Sequence, residues 1–389
     1  MIPFGKPLSD IEESDLQSLI ESSVQENDRV EFKRDMYGRT DEEVREMLRD
    51  IAAMANHRGG DIYIGVDEDE DAVATALPGV SAAGNVERIR ASCLSNIAPR
   101  LNGLEARDIP LQNGDHAIVV RVPRSLSGPH LITFRGLYQF WKRHGRQKDK
   151  MSVDEIRLGF VERFEGETRM ERLLAERRGR LARTIRDEPW LLLTATPIFH
   201  KQEVIDTREA LMQNMISDPS EQLHVEYVLD CGRALPTLWG LRAESREGDR
   251  PRKYLELHRN GHLEFGSKHV IDLYPNPPSV RLNAKSLLAS TVVFVKLFAA
   301  VLQQAQIAGP CAFALTILNA RGLRLQVGDL TQFSERQWPD EPLEIEPLYA
   351  ENLAVEEGPI VKTWNDRLWN AFGFTECSWL TEDGQLRAE

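Results

Sequence analysis

Cysteine is scarce in this chain: four residues, at positions 93, 231, 311 and 377, with no pair at CxxC spacing. That excludes a zinc ribbon, a dithiol redox motif and a disulfide-stapled scaffold, and makes a reducing cytosol the expected compartment. Positive charge is also in deficit, 48 Lys and Arg against 61 Asp and Glu for a net charge of -13. A surface coated in nucleic-acid-binding cation is excluded, so any polyanion site has to be a local patch. Long apolar runs are missing too. The most apolar stretch, Leu287 to Leu302, is interrupted by Lys296 and is shorter than the ~20 residues that span a bilayer, so it reads as a buried helix. The first residues, MIPFGKPLSDIEESD, lack a basic-then-apolar export signal, and no membrane association is expected. No Gly-x4-Gly-Lys-Ser/Thr occurs, which removes a Walker phosphate cradle and with it an ATP site of that type. Gly-x-Ser-x-Gly, His-Glu-x-x-His, a glycine-rich dinucleotide fingerprint and a recognisable helix-turn-helix are absent as well.

What is present is an ordinary globular composition, 41% hydrophobic and 28% charged over 389 residues, enough for two or three cored domains. Apolar residues among acids suggest a helix over 10–20. In Glu26-Asn-Asp-Arg-Val-Glu31-Phe-Lys33, Val30 and Phe32 alternate with Arg29, Glu31 and Lys33, predicting a half-buried strand with Glu31 and Lys33 on its polar side. Glu26 lies an odd number of residues from Glu31, so only a turn at Asn27-Asp28 brings the two carboxylates together. Val44, Met47, Leu48, Ile51, Ala52 and Ala55 keep helical spacing from Asp41 to His57, opened by Thr40/Asp41 and closed by Gly59-Gly60. The strand Asp61 to Asp67 follows, with Ile62, Ile64 and Val66 toward the core and the other residues on the opposite face, and it ends in an acidic turn, Asp67 to Asp71. A helix over 86–97 and a strand over 117–122 complete a mixed pattern.

Leu131 to Lys150 interleaves Phe134, Tyr138, Phe140 and Trp141 with Arg135, Lys142, Arg143, Arg146, Lys148 and Lys150, and is the most basic and aromatic part of an acidic chain. Cations neutralise phosphates and aromatic faces stack on unpaired bases, so it has the footprint of a nucleic-acid groove. A strand with core aromatics and a solvated basic turn is the alternative.

Glu26-x4-Glu31-Phe-Lys33, Ala52-Ala-Met-Ala-Asn56-His-Arg-Gly-Gly60-Asp-Ile-Tyr-Ile-Gly65-Val-Asp67, and Arg143-His-Gly145 through Met151-Ser-x-x-Glu155-Ile156 together resemble the Schlafen AlbA-like domain family, over roughly residues 12–160. The resemblance implies an α/β (α+β) nucleic-acid-binding unit that pairs with a second copy around a positive groove. Residues 190–389 hold no second Glu-Phe-Lys or Gly-Gly-x4-Gly-Val, so a two-copy groove requires a homodimer. Nuclease members of the family use three acids, which match Glu26, Glu31 and Asp67 here, with Glu68 the competing third assignment. The resemblance thus implies a metal-dependent endoribonuclease acting on structured RNA such as tRNA, in stress or antiphage defence. Mg²⁺ or Mn²⁺ would be held by Glu26, Glu31 and Asp67, and Lys33 would assist. Arg135, Lys142, Arg143, Arg146 and Lys148 would hold phosphates. The bland alternatives are an exposed opposite-charge pair for Glu31 and Lys33 and a turn cap for Asp67. The rival function is a non-catalytic DNA- or RNA-binding regulator with a sensor domain; a weaker third is a scaffold recruiting another protein through its C-terminal half.

The domain plan read from the sequence is 1–160 for the Schlafen-like unit, 161–188 for a helical linker and 189–389 for a separate α/β domain. In the linker, Arg177, Arg178, Arg180 and Arg183 are expected to pair with acids at 165, 167, 171 and 176 on the same helix. In the last domain the patterns predict a strand at 190–194, a helix at 203–216, a hairpin at 253–266 around Arg259-Asn260-Gly261, a helix at 284–305, and strands at 312–318 and 323–327. His258 and His262 frame the hairpin turn and do not suit a zinc pair, which wants a helix at that spacing. Trp364, Trp369, Phe372, Phe374 and Trp379 read as core, with a partner surface as the alternative.

Overall fold

The computed structural model describes residues 6–387 apart from 82–83, 126, 186–187, 199–202, 226–227, 276–277, 306, 308–309, 329–332 and 352. It is an α+β protein of two compact units, Met1–Glu167 with Ala308–Pro310, and Thr168–Ile307 with Cys311–Glu389. The four cysteines are free and buried.

In the first unit the order is α1 (Glu13–Glu21), β1 (Val30–Lys33), α2 (Asp41–Ala55), β2 (Gly60–Ile64), β3 (Asp67–Glu68), β4 (Ala74–Ala76), α3 (Asn85–Asn96), β5 (Ile97–Ala98), β6 (Glu105–Pro110), β7 (His116–Val122), β8 (Leu131–Ile132), β9 (Gln139–His144), β10 (Gln147–Lys150) and the start of α4 (Val153–Thr184). Helix α1 begins later than the apolar pattern suggested, because Leu8–Asp10 form a separate 3-10 turn. Thr40 and Glu43 close a reciprocal capping box at the start of α2, each side chain taking the other's backbone N–H.

Strands run in the order β1-β2-β7-β6, with β1 and β2 parallel and the other pairs antiparallel. Ile62, Ile64, Val120 and Val122 pack with α2 and α3 on one face. Val30, Phe32, Tyr63 and Val119 pack with α1 on the other. The opposite face of β2 is therefore buried as well: Asp61 sits inside, held by both Nε and Nη2 of Arg121 at 2.9 and 2.8 Å. Gly60 is required where β2 begins, since a Cβ there would fall 2.4 Å from the Arg29 carbonyl oxygen. A second sheet, β10-β9-β8-β5, carries the basic aromatic segment as a hairpin.

In the second unit come β11 (Trp190–Pro197), α5 (Ala210–Ser217), α6 (Pro219–Leu223), β12 (Leu235–Pro236), β13 (Gly240–Glu247), β14 (Arg250–His258), β15 (Leu263–Ser267), β16 (Ile271–Pro275), β17 (Pro278–Asn283), α7 (Ala284–Gln304), β18 (Cys311–Leu318), β19 (Arg324–Gln326), β20 (Leu343–Ala350) and α8 (Leu353–Ala371). Seven antiparallel strands in the order β12-β13-β14-β15-β11-β18-β20 form its main sheet. Every residue of β11 and β18 is buried, as expected for central strands covered on both sides.

Helix α7 is the apolar stretch read from the sequence. It is long and apolar enough to cross a membrane, and most of that stretch is buried within the protein. Trp364, Trp369 and Phe372 join its core, with Phe374 and Trp379 packed against it, so the terminal aromatics are core.

Two expectations are corrected here. The helix predicted from 203 starts only at Ala210, because the amides of Val204 and Ile205 donate to the Arg259 carbonyl at 2.7 and 3.0 Å and residues 207–208 form a turn. Arg177 and Arg178 do not pair along their helix. Arg177 reaches Glu264 at 2.6 Å and Glu256 at 3.0 Å on the sheet, and Arg178 bonds Glu344. The side chains at 165 and 167 lie outside the described residues.

Candidate functional site

The turn between Glu26 and β1 forms as the sequence suggested. The Asn27 side-chain oxygen accepts the Arg29 amide at 2.8 Å, and the Asn27 amide donates to the Val30 carbonyl at 3.2 Å. This folds Glu26 back along β1, where its Oε1 accepts the Phe32 amide at 2.6 Å. The Glu26 carboxyl is pushed up to about 7, by burial first and then by the Glu31 and Glu68 charges, against the help of the Phe32 amide.

Glu31 is not the exposed member of a surface pair; it is 5% exposed. Lys33 donates to its Oε1 at 2.6 Å, and Arg143 donates to its Oε2. Burial pushes its carboxyl up, but Lys33 and Arg143 outweigh burial and hold it below the usual carboxylate range. Beneath them Asp50, fully buried on α2, accepts the Tyr37 hydroxyl at 2.7 Å and the Lys148 ammonium. Lys33 lies 3.8 Å from both Asp50 and the half-exposed Glu46. Burial alone would lower the Lys33 ammonium, yet Asp50 and Glu31 reverse this and raise it. Lys33 therefore remains a fixed cation between the acids.

The sequence named Asp67 as the third acid. In the structure its carboxylate pairs with Arg34 at 3.0 Å and accepts the Glu68 amide at 3.1 Å. Glu68, the competing assignment, is the one whose charge acts on Glu26. Its own carboxyl is raised, by partial burial first and by Glu31 and Asp67, against Lys33 and Arg146. The acids nearest the Lys33 ammonium are Glu31, Asp50 and Glu46, while Glu26, Glu31 and Glu68 act on one another beside it.

Of the residues expected to hold phosphates, Arg143 is corrected: it is 1% exposed and spent on Glu31, so it cannot reach a polyanion. Lys148 is largely internal, tied to Asp50. Arg135 is exposed, pairs with Asp41 at 2.6 Å and lies over the Phe134 ring. Lys142 keeps only a loose pair with Glu155 at 3.9 Å. Arg146 is exposed at the hairpin and donates to the Asp71 carbonyl at 2.7 Å, which sets it beside the acidic turn. Lys150 is exposed and has no ion-pair partner among the described residues.

Sequence reasoning passed over Asp50 and Asn56. Asp50 was detectable as an acid placed between Met47, Ile51 and Met54 on the apolar face of α2. Asn56 left no such signal, because its role depends on segments far along the chain. Its amide nitrogen donates to the carbonyls of His130 and Trp141, both at 2.9 Å, while its oxygen accepts the His130 amide at 2.6 Å. Asn56 thereby fastens the end of α2 to the basic hairpin.

Hard carboxylate oxygens from Glu26, Glu31 and Glu68, which repel one another, fit Mg²⁺ or Mn²⁺ by donor chemistry. Both oxygens of Glu31 are engaged by cations, and among the described residues no three His, Cys, Asp or Glu side chains stand ready to enclose an ion.

Residues 26–152 match the family model described as Schlafen, AlbA_2. Among solved structures, the chain is similar to the DIP2311 protein from Corynebacterium diphtheriae, at 16% identity over 36% of this chain and 26% of that one, with a TM-score of 0.24. It is also similar to the N-terminal domain of a RecG-related protein from Nitrosomonas europaea, at 21% identity over 37% of this chain and 94% of that one, with a TM-score of 0.27. The chain thus spans about a quarter of the length of the Corynebacterium protein. No curated protein matches it.

Proposed function

With a Schlafen AlbA-like domain at residues 26–152 as the premise, we propose that this protein is a divalent-metal-dependent endoribonuclease acting on structured RNA such as tRNA, working as a homodimer in antiphage defence or stress. The family match supports the coarser statement, a nucleic-acid-related function. The observation that supports the finer one is that Glu26 folds back along β1, where the Glu31 and Glu68 charges act on its carboxyl, beside an exposed Arg146.

In this reading Glu26 and Glu68, with Glu31, would hold the metal. When bound, it supplies charge neutralisation at the scissile phosphate and an acidified water. The protein's own groups do the rest. Lys33 offers a fixed ammonium to the phosphate oxygens, and Arg143 keeps Glu31 ionised and immobile. Arg146, Lys142 and Arg135 hold flanking phosphates.

A second reading is favoured by one specific observation, the neutralisation of Glu31 by two of the protein's own cations. That arrangement suits a nucleic-acid-binding regulator whose acids are structural.

The test incubates the full chain with total tRNA and with single- and double-stranded DNA, in Mn²⁺, Mg²⁺ or EDTA. Glu26→Gln and Glu68→Gln serve as controls, since neither leaves a buried arginine unpaired. Metal-dependent tRNA fragments, lost in both variants while RNA binding persists, are the expected result. Intact RNA bound equally in EDTA selects the regulator.

A further inference from the structure

The main sheet of the second unit ends on two unlike edges. On one side lies β20, where Glu344 and Glu346 occupy alternate exposed positions and Pro347 has no amide hydrogen to donate. Two copies of that strand laid antiparallel set acid against acid, so this edge is protected from pairing. On the other side β12 covers β13 only at Leu241 and Arg242. Among the described residues no strand lies beside residues 243–247 on that side.

The backbone phase of this free edge can be read from the turn before it. The Thr237 amide donates to the Gly240 carbonyl at 2.8 Å, and in an antiparallel ladder every second residue faces the same neighbour. The backbone groups of Arg242, Glu244 and Arg246 therefore face the β12 side, and beyond Arg242 they meet no strand there. The residue skipped at the bulge between β13 and β14 is Arg252 of β14, so β13 keeps its alternation. Glu244 and Arg246 share a face of the sheet: Arg246 Nε lies 3.5 Å from the Glu244 carboxylate, and the arginine side chain is 57% exposed.

Two copies of β13 laid antiparallel about Ser245 set Glu244 of each opposite Arg246 of the other. These are also the residues whose backbone groups face outward, so each opposite-charge pair exchanges both of its ladder hydrogen bonds. Centring on Glu244 would set that residue against itself and Arg246 against Arg242, and centring on Arg246 would set it against itself. Charge and backbone phase agree on one register.

We propose that two copies of this chain associate through the free edge of β13, antiparallel and centred on Ser245, so that the sheet continues from one copy into the other. The interface is small and partly ionic, so it forms and dissolves with concentration and salt. It involves the second unit alone and is independent of whether the first unit cleaves RNA.

The test is cysteine cross-linking of the full chain without nucleic acid. Residues opposite one another at a non-hydrogen-bonded antiparallel site have Cα atoms about 4.5 Å apart, within disulfide reach. Ser245 is half-buried, and Ser245→Cys should give a reducible covalent dimer under mild oxidation. Wild type, whose four cysteines are buried, should give none. Asp249→Cys, in the exposed turn after β13, should give several-fold less than Ser245→Cys despite its greater accessibility. Adding Arg246→Glu to Ser245→Cys sets like charges opposite and should lower the yield about tenfold, and adding Glu244→Arg as well should restore it. Sedimentation equilibrium of the chain without the cysteine should show reversible dimerisation that Arg246→Glu weakens. No covalent dimer from Ser245→Cys, an equal yield from Asp249→Cys, failure of the charge exchange to restore what Arg246→Glu removes, or reversible dimerisation unchanged by Arg246→Glu each overturns the proposal.

Discussion

Arg143 and Glu31 form a buried ion pair between β9 and β1 across 112 residues of sequence, with the arginine side chain 1% exposed. A carboxylate in that position without its guanidinium would retain Lys33 but lose half of its compensation. Breaking one side of a buried pair costs about 3–5 kcal/mol, because the remaining charge stays desolvated. Arg143→Ala is therefore expected to lower stability by about that amount, and Glu31→Ala similarly, while the double variant loses less than the sum. Urea unfolding of the four proteins measures this; additive losses would show that the two side chains do not interact.

Arg146 and Lys150 are the exposed cations of the hairpin that the structure leaves available to a polyanion, Arg146 holding only a backbone carbonyl. Each alanine substitution should weaken RNA binding uniformly across sequences and reduce the slope of log affinity against log salt by about one. Arg143→Ala should leave that slope unchanged. Filter or fluorescence titrations at several salt concentrations distinguish these outcomes, and an unchanged slope in the Arg146 and Lys150 variants would remove the hairpin from the binding surface.

Much of the first unit was legible because its signals are local. The Thr40 cap, the helical spacing from Val44 to Ala55, and the Asn27 turn that returns Glu26 to β1 each depend on residues a few positions apart. What escaped was decided by distant partners. Glu31 and Lys33 read as a wet strand face, and only the approach of β9 and α2 encloses them. Arg143 and Arg146 are alike in sequence, yet Arg143 lies within β9 and is turned inward, whereas Arg146 sits in the turn between β9 and β10 and is exposed. Between Asp67 and Glu68 the choice rests on a one-residue change of face at a bulged pair of short strands, with Arg34 placed to claim Asp67. In the second unit β11, the β14–β15 hairpin, β18 and α7 followed their periodicity, whereas β13, β20 and α8 went unread and Val204 and Ile205 followed a backbone pairing with Arg259 that no local pattern announces.

Asn56 makes three hydrogen bonds to backbone groups of two segments, 74 and 85 residues downstream. Asn56→Ala strands two carbonyls and one amide in a partly buried place. The expected loss is about 2–4 kcal/mol, given that a buried group left unpaired costs about 1–3 kcal/mol and that water reaches part of this site. Asn56→Asp keeps the acceptor but removes both donated bonds, so it should also destabilise. Hydrogen exchange of the His130 amide provides the local readout: faster exchange in Asn56→Ala than in wild type is expected, and equal protection would mean the clamp is not what holds the hairpin.

The second unit should lose stability in mild acid through His258. Its ring is pushed down to about 3, by burial first and then by the charges of His262 and Arg177, with Arg180 adding to this and Glu264 opposing it. Glu256 lies 3.7 Å from its Nε2, a nitrogen with no hydrogen-bond partner, and His262 packs edge-on at 5.0 Å. A histidine whose folded value lies below its unfolded value binds fewer protons folded than unfolded between the two. Its contribution is therefore complete above about pH 6.5 and is lost as the pH falls from there toward 3. Glu264, held low by Arg177 and His262 against burial, acts in the same direction, but only once the pH falls below the ordinary carboxylate range. Between pH 6.5 and 5 the loss belongs mainly to buried histidines and should be on the order of 1–2 kcal/mol for His258. His130 and His57 in the first unit are lowered by burial too, so the comparison is with His258→Gln, which cannot titrate. Urea melts at pH 7.0, 6.0 and 5.0, followed by tryptophan fluorescence, should show a shallower pH slope in the variant than in wild type; parallel slopes would show that His258 is not titrating out of register with the unfolded chain.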